Sequence, residues 1–352
     1  MKATGAQRSD ESAGVADTGQ EAVPFERFMA DALYGASGFY TSGGGRPGRR
    51  GDFLTSPEIG PLFGAVVARF VRAEWNRLGR PDAFTLVDAG AGSGALARAV
   101  QAADPDLSLS IRYVAVDVSE AQRAQHPAGV ETSRELPTGP FDGVVIANEL
   151  LDNLPFRLAV HDGGWREAFV ARLPDGRLVE TLSDVFDPKP QVLPAEAVLG
   201  ARAPLQDAAR EWVEDARRRL RRGTLVVIDY MSPTTVALAD RPWRDWLRTY
   251  REHRRGDHYL AAPGSQDITA EVAIDQLPAP DTIRPQSQWL RLHGIEQLVD
   301  EGRRYWQAHA ARPDLEAMRM RSRVGEAEAL LDPGGLGGFT VLEYRARRTE
   351  PG

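Results

Sequence analysis

A chain of 352 residues, 42% hydrophobic and 26% charged, has the balance of a globular protein with one large domain or two modest ones, and neither wholesale disorder nor membrane integration is expected. A formal net charge of −7 gives no general attraction to phosphate backbones, so nucleic acid is not an expected partner. The absence of cysteine excludes disulfides, thiolate nucleophiles and Cys-ligated zinc or iron–sulfur centres, and the six histidines never fall at a ligand spacing, so no metal is expected.

Residues 1–22 are rich in Ala, Gly, Ser, Thr and acids and hold no apolar run, which predicts a disordered tail. With neither a secretory apolar stretch nor a basic presequence there, a cytoplasmic location is expected. A helical cover is predicted over 23–80. Its first helix begins behind Pro24, with Phe25, Phe28, Met29, Ala32 and Leu33 at helical spacing. Its second follows Pro57, carries Leu62, Phe63, Val66, Val67, Phe70, Val71 and Trp75 on one stripe, and ends near Gly79. Between them the glycine- and arginine-rich stretch 43–51 reads as an exposed loop, either a connector or a flap over a site.

From Phe84 the pattern changes. Phe84–Asp88, Tyr113–Asp117, Phe141–Ala147 and Thr224–Asp229 are short, nearly continuous apolar runs, as expected of buried parallel strands, and a helix is predicted over Ala95–Ala102. Strands alternating with helices predict an open α/β sheet. Residues 81–160 form the first part of this core, 161–222 an inserted β-meander and helix, and 223–352 the remainder with a further cap. Turns at Asp162-Gly163-Gly164 and Pro174-Asp175-Gly176 predict the antiparallel meander. The run from Arg217 to Arg222 reads as the last turn of a helix, where cations complement the helix dipole, rather than as a nucleic-acid patch. Phe339–Tyr344 is expected as a closing strand.

Asp88-Ala89-Gly90-Ala91-Gly92-Ser93-Gly94 joins the first strand to a helix, so its backbone N–H groups face whatever binds at the carboxyl edge of the sheet. Gly90-x-Gly92-x-x-Ala95 also fits the dinucleotide pattern, and the loop alone leaves a nicotinamide cofactor and S-adenosylmethionine both open. Asp88 favours the second, because a carboxylate there repels pyrophosphate and attracts an ammonium group. Asp117, ending the next strand, suits the ribose hydroxyls of either.

Three further segments carry a family resemblance: Gly51-Asp52-Phe53-Leu54-Thr55-Ser56-Pro57-Glu58-Ile59, Asn148-Glu149-Leu150-Leu151-Asp152-Asn153-Leu154-Pro155 and Pro263-Gly264-Ser265-Gln266-Asp267-Ile268-Thr269. Together with the glycine loop they resemble the MidA-like methyltransferases, in order from about Pro24 to Tyr344. That family includes a mitochondrial assembly factor that methylates an arginine on a subunit of respiratory complex I. The resemblance implies a class I methyltransferase Rossmann-like sheet with an N-terminal helical lid, S-adenosylmethionine as cofactor, and an arginine of a protein partner as acceptor. The sequence departs from the family at Asp88 and Ala91, where Glu and Pro are usual, and at Pro285-Gln286-Ser287, where a Thr-Gln-Gly turn is expected; the second departure bears on substrate.

On this reading Asp88, Gly90, Gly92, Gly94, Asp117 and Asn148 bind cofactor, and Gly51, Asp52, Thr55 and Glu58 fold over it. Thr55 or Ser56 equally suits a helix N-cap. Glu149 and Asp152, just beyond a strand's carboxyl end, are the candidates to orient an acceptor guanidinium, although acids there also suit a first helical turn. His253 is a candidate proton relay, and Asp267 and Thr269 match a family motif while also suiting a turn. A small-molecule methyltransferase, a catalytically silent cofactor-binding assembly factor and an NAD(P)-dependent oxidoreductase stay open, as does a homodimer.

Overall fold

The computed structural model describes residues 22–41, 55–251 and 254–346. The expected tail as far as residue 21, the loop 43–51 with its Gly51, Asp52, and His253 lie outside the described residues.

Seven strands form the central sheet: β1 (Thr85–Ala89), β2 (Arg112–Val116), β3 (Glu131–Ser133), β4 (Phe141–Asn148), β5 (Leu220–Asp229), β6 (Thr282–Pro285) and β7 (Thr340–Ala346). Their spatial order is β3-β2-β1-β4-β5-β7-β6; β1 to β5 run parallel, and β7 is antiparallel to both its neighbours. A reversed strand between β5 and β6 departs from the 3-2-1-4-5-6 order of dinucleotide folds.

The apolar runs are continuous because both faces are covered. One face, with Leu86, Ala115, Val144, Ile146, Val226 and Ile228, packs on the helix stripe Leu62, Phe63, Val66, Val67 and Phe70. The alternate residues Val87, Val114, Val145, Leu225 and Val227 pack on Ala209, Val213 and Ala216. Each such aliphatic side chain contributes roughly 1.5–3 kcal/mol by leaving water.

The helices that matter for the site are α1 (Phe25–Tyr34), α2 (Pro61–Arg77), α3 (Ala95–Ala103) and α4 (Asp207–Arg219). All five apolar residues expected to line α1 are buried. They sit against Phe156, Leu158, Val170, Trp246 and Tyr259, so this helix closes on the inserted region rather than on the central sheet. The insertion is an antiparallel sheet of Arg157–His161, Trp165–Arg172, Leu178–Val185 and Arg202–Leu205, with Val23–Pro24 added along Trp165–Arg172.

The helix expected from Pro57 to Gly79 is two helices. A short one, Ser56–Ile59, stops before Pro61, which has no N–H to give and disfavours helical geometry at Gly60. The Leu62 N–H donates instead to Glu326 Oε2 at 2.8 Å. The arginine run is also corrected: α4 ends at Arg219, and Arg221 and Arg222 already belong to β5. Both reach the buried Asp142, Arg221 Nε at 2.8 Å, because the strand brings them beside β4. This pair holds the Asp142 carboxyl at about 2, below its ordinary value, against the opposing cost of its burial.

Candidate active site

The carboxyl ends of β1, β2, β4 and β5 open into one cavity of about 950 Å³, which Tyr34, Tyr40, Thr55, Glu58, Arg248 and Tyr250 also line. Its size is at the upper end of the range for ligand pockets, roughly 300–1,000 Å³, which leaves room for a nucleoside cofactor and an acceptor side chain together.

On one side lies the glycine loop. Gly90, Gly92 and Gly94 have φ of 74°, 52° and 82°, left-handed geometry that glycine adopts freely. A Cβ on Gly92 would meet no protein atom within 4 Å, whereas one on Gly94 would lie 2.9 Å from Pro127 Cδ. Gly92 is thus the bare floor of the cradle and Gly94 a packing point. The Gly92 N–H donates to Asp117 Oδ2 at 2.9 Å, and Asp117 Oδ1 accepts the Ser119 N–H at 2.8 Å, fixing the carboxylate beside the loop. Asp88 is buried beneath it, accepts the Tyr113 hydroxyl at 3.1 Å, and is pushed up to about 7 by burial.

On the other side stands a group of acids. The turn after β4 begins at Glu149, whose φ of 52° is unusual for a residue with a side chain and marks stored strain. Its N–H is held by Ile228 O at 2.8 Å, and Oε1 accepts from Asn148 Nδ2 at 3.0 Å. Burial, and then the neighbouring Asp152, push the Glu149 carboxyl up to about 8. Asp152 is buried; its Oδ2 accepts the hydroxyls of Tyr230 and Thr269, while Oδ1 has no protein partner. Asn148 Oδ1 is likewise without one.

Asp229, fully buried at the end of β5, organises this turn. Its Oδ2 accepts the N–H groups of Leu151 at 3.0 Å and Asp152 at 3.3 Å, and its Oδ1 that of Tyr230 at 3.0 Å. Burial, Asp152 and Glu149 raise its own carboxyl well above the ordinary range. Asp267 accepts from Tyr40 at 3.1 Å and Asn153 Nδ2 at 3.0 Å, and burial followed by Asp152 pushes it up to about 7. Tyr34 and Tyr40 stack with centroids 5.6 Å apart and both donate to Asn153.

Asp88, Gly90, Gly92, Asp117, Asn148, Glu149, Asp152, Thr55 and Glu58 all line the cavity, whereas Gly94 supports it from behind. Thr55 is the N-cap of the Ser56–Ile59 helix, its N–H 3.5 Å from Glu58 Oε2, so capping and cavity lining coincide. The buried Gln286 of the divergent turn hydrogen bonds with Ser56 Oγ at 3.0–3.1 Å and ties the cover to the carboxyl-terminal part of the core. Asp229, Tyr230, Tyr34, Tyr40 and His126, whose Nε2 lies 2.9 Å from Gly92 O, carried no assignment from sequence. Asp229 and Tyr230 sit at a strand's carboxyl end, the positional signal that singled out Asp117 and Glu149; Tyr34, Tyr40 and His126 had none.

The residues fit S-adenosylmethionine: an open glycine floor, a fixed carboxylate at Asp117, and the unpartnered Asn148 Oδ1 as acceptor for an ammonium group. Residues 66–283 match the family model described as "Putative S-adenosyl-L-methionine-dependent methyltransferase". The chain belongs to this family. A Burkholderia thailandensis protein solved with S-adenosyl-homocysteine bound superposes with a TM-score of 0.79 at 27% identity, covering 95% of this chain and 89% of that one. The fold is that of the class I methyltransferases, and the cofactor of the family is S-adenosylmethionine; the dinucleotide alternative falls. Among curated relatives, the Drosophila melanogaster mitochondrial homolog of protein arginine methyltransferase NDUFAF7 is 27% identical over 71% of this chain, and the human mitochondrial NDUFAF7 29% identical over 65%. The chain spans 64% and 59% of their respective lengths. Both relatives are mitochondrial, which overturns the cytoplasmic location expected from the amino-terminal composition.

Proposed function

We propose that the protein transfers the methyl group of S-adenosylmethionine to a guanidinium nitrogen of an arginine in a protein partner. The observation that carries this reading is the pair Glu149 and Asp152, set in one cavity with the glycine loop, with Asp152 Oδ1 free of protein partners. A guanidinium donates from several N–H groups in a fixed fork, which two neighbouring carboxylates can accept.

The cofactor, when bound, supplies an electrophilic methyl group. Gly92 and Asp117 would hold its nucleoside end and Asn148 its ammonium, and the tyrosine wall of Tyr34 and Tyr40 would exclude water. Glu149 and Asp152 would orient the acceptor and draw its positive charge away from the reacting nitrogen. The guanidinium's own positive charge favours the ionised form of Glu149, which is then placed to take the proton that nitrogen loses. The curated relatives named as protein arginine methyltransferases support the acceptor class.

Incubating the protein with S-adenosylmethionine and paired peptides carrying one arginine or one lysine tests the reading. Mass gain of one methyl on the arginine peptide alone, lost in Asp152→Asn, is expected; methylation of both or neither peptide counts against it.

A further inference from the structure

Beside the reaction cavity lies a second, smaller cavity of about 270 Å³, lined by Trp243, Arg244, Arg248, Arg255, Asp257 and His258 among others. Arg248 lines both cavities, so the two adjoin. Carboxyl groups dominate the first and guanidinium groups the second. The inner cavity collects Glu58, Asp88, Asp117, Glu149, Asp152 and Asp267, with Arg134 and Arg219 also on its wall, whereas the outer one has three guanidinium groups against the single carboxylate of Asp257.

Two of the three outer guanidinium groups are not consumed by ion pairing among the described residues. Arg248 is held by Glu271 at 3.0 Å. Arg244 instead lies over the Trp243 ring at 4.4 Å, and Arg255 donates to the Arg244 carbonyl; neither forms an ion pair with a described residue. Both are exposed at the short hairpin of Leu247–Arg251 and Arg254–Arg255, with Arg251 and Arg254 exposed alongside. The floor is firm: Leu247, Thr249 and Tyr259 are buried, and a Cβ on Gly256 would fall 2.6 Å from Thr249 Oγ1, so the backbone closes the cavity there. In a chain of net charge −7, a local excess of guanidinium groups beside a carboxyl-lined cavity can sort peptide segments by charge.

Resting on the arginine reading above, we infer that this outer cavity docks a side-chain carboxylate of the protein acceptor, Asp or Glu within a few residues of the methylated arginine. The arginine enters the reaction cavity while the neighbouring carboxylate is met by Arg244 and Arg255 in the adjoining one. A guanidinium donates two parallel hydrogen bonds to a carboxylate, which fixes the approach of the segment as well as favouring it. A segment with lysine at that place meets like charge.

The test uses full-length protein with S-adenosylhomocysteine and labelled nine-residue glycine–alanine peptides read by fluorescence anisotropy. The peptides carry central arginine with flanking glutamates, arginine with flanking glutamines, arginine with flanking lysines, or norleucine with flanking glutamates. The glutamate–arginine peptide is expected to bind about tenfold more tightly than its glutamine version, a preference that shrinks with added salt. Arg244→Glu and Arg255→Glu, both at exposed positions, are expected to abolish that preference and to favour the lysine version. Equal binding of the glutamate and glutamine peptides, or binding of neither, overturns the inference. The norleucine–glutamate peptide binding as tightly as the arginine–glutamate one, with the arginine–glutamine peptide weaker than both, upholds the carboxylate dock and removes the arginine reading instead.

Discussion

Asp152→Asn separates the acceptor role of this carboxylate from its structural one. The side chain is buried, and its Oδ2 already accepts two hydroxyls, from Tyr230 and Thr269. An asparagine keeps that geometry: its amide oxygen takes the two hydroxyls, and its NH₂ takes the place of Oδ1, the atom without a protein partner. Folding therefore loses little, and removing the Asp152 charge also removes one of the causes that raise Asp229, Glu149 and Asp267. The acceptor loses a charge-assisted hydrogen bond, worth about 1.5–3 kcal/mol, and gains a donor facing a donor. At about 1.4 kcal/mol per factor of ten, kcat/KM should fall by roughly 10- to 150-fold or more. Cofactor affinity should change less than about twofold. Steady-state kinetics with an arginine peptide, alongside calorimetric titration with S-adenosylhomocysteine, measures both. Unchanged kcat/KM, or a parallel loss of cofactor affinity, would refute the reasoning.

Other perturbations follow the same geometry. Asp117→Ala removes the acceptor of the Gly92 and Ser119 N–H groups; titration should show S-adenosylhomocysteine binding weakened about tenfold or more, with the acceptor KM little altered. Gly94→Ala forces a φ of 82° on a residue with a side chain and crowds Pro127, so calorimetry should show a lower Tm, the strain alone costing about 1–2 kcal/mol. Glu149 is pushed up to about 8, so the folded, ligand-free protein binds its proton more tightly than the unfolded chain, where a carboxyl titrates near its ordinary value. The stabilisation this gives is full at low pH and is lost as pH rises through the window ending near 8. The Tm of wild type relative to Glu149→Gln should therefore fall between pH 5 and pH 8.5, a window chosen to span roughly that range; a constant difference would contradict the assignment.

Much of the fold was legible where one physical signal dominated. β1, β2, β4 and β5 stood out because residues such as Val87, Val114, Val145 and Val227 are buried on faces covered from both sides. β3 and β6 did not, since Glu131, Thr132, Ile283 and Pro285 are exposed or half-exposed at the sheet edges and carry no apolar run. Arg221 and Arg222 looked like the end of a helix because consecutive cations suit a helix terminus; only the buried Asp142 on the neighbouring strand, remote in sequence, makes them strand residues. Around the site, the glycine loop and the Asn148–Pro155 segment could be read from their place after apolar strands. The tyrosines could not. Tyr34 and Tyr40 reach the cavity through Asn153 and Asp267, residues more than a hundred positions away, and nothing local in the sequence encodes those contacts.

The central claim is that the methyl group goes to arginine. The most direct measurement is to incubate the protein with methyl-labelled S-adenosylmethionine and extract from the organism, isolate the labelled protein, hydrolyse it to amino acids and identify the one that carries label. Label recovered as methylarginine, and absent with Asp152→Asn, is the predicted result; label in another amino acid or only in small molecules would contradict it.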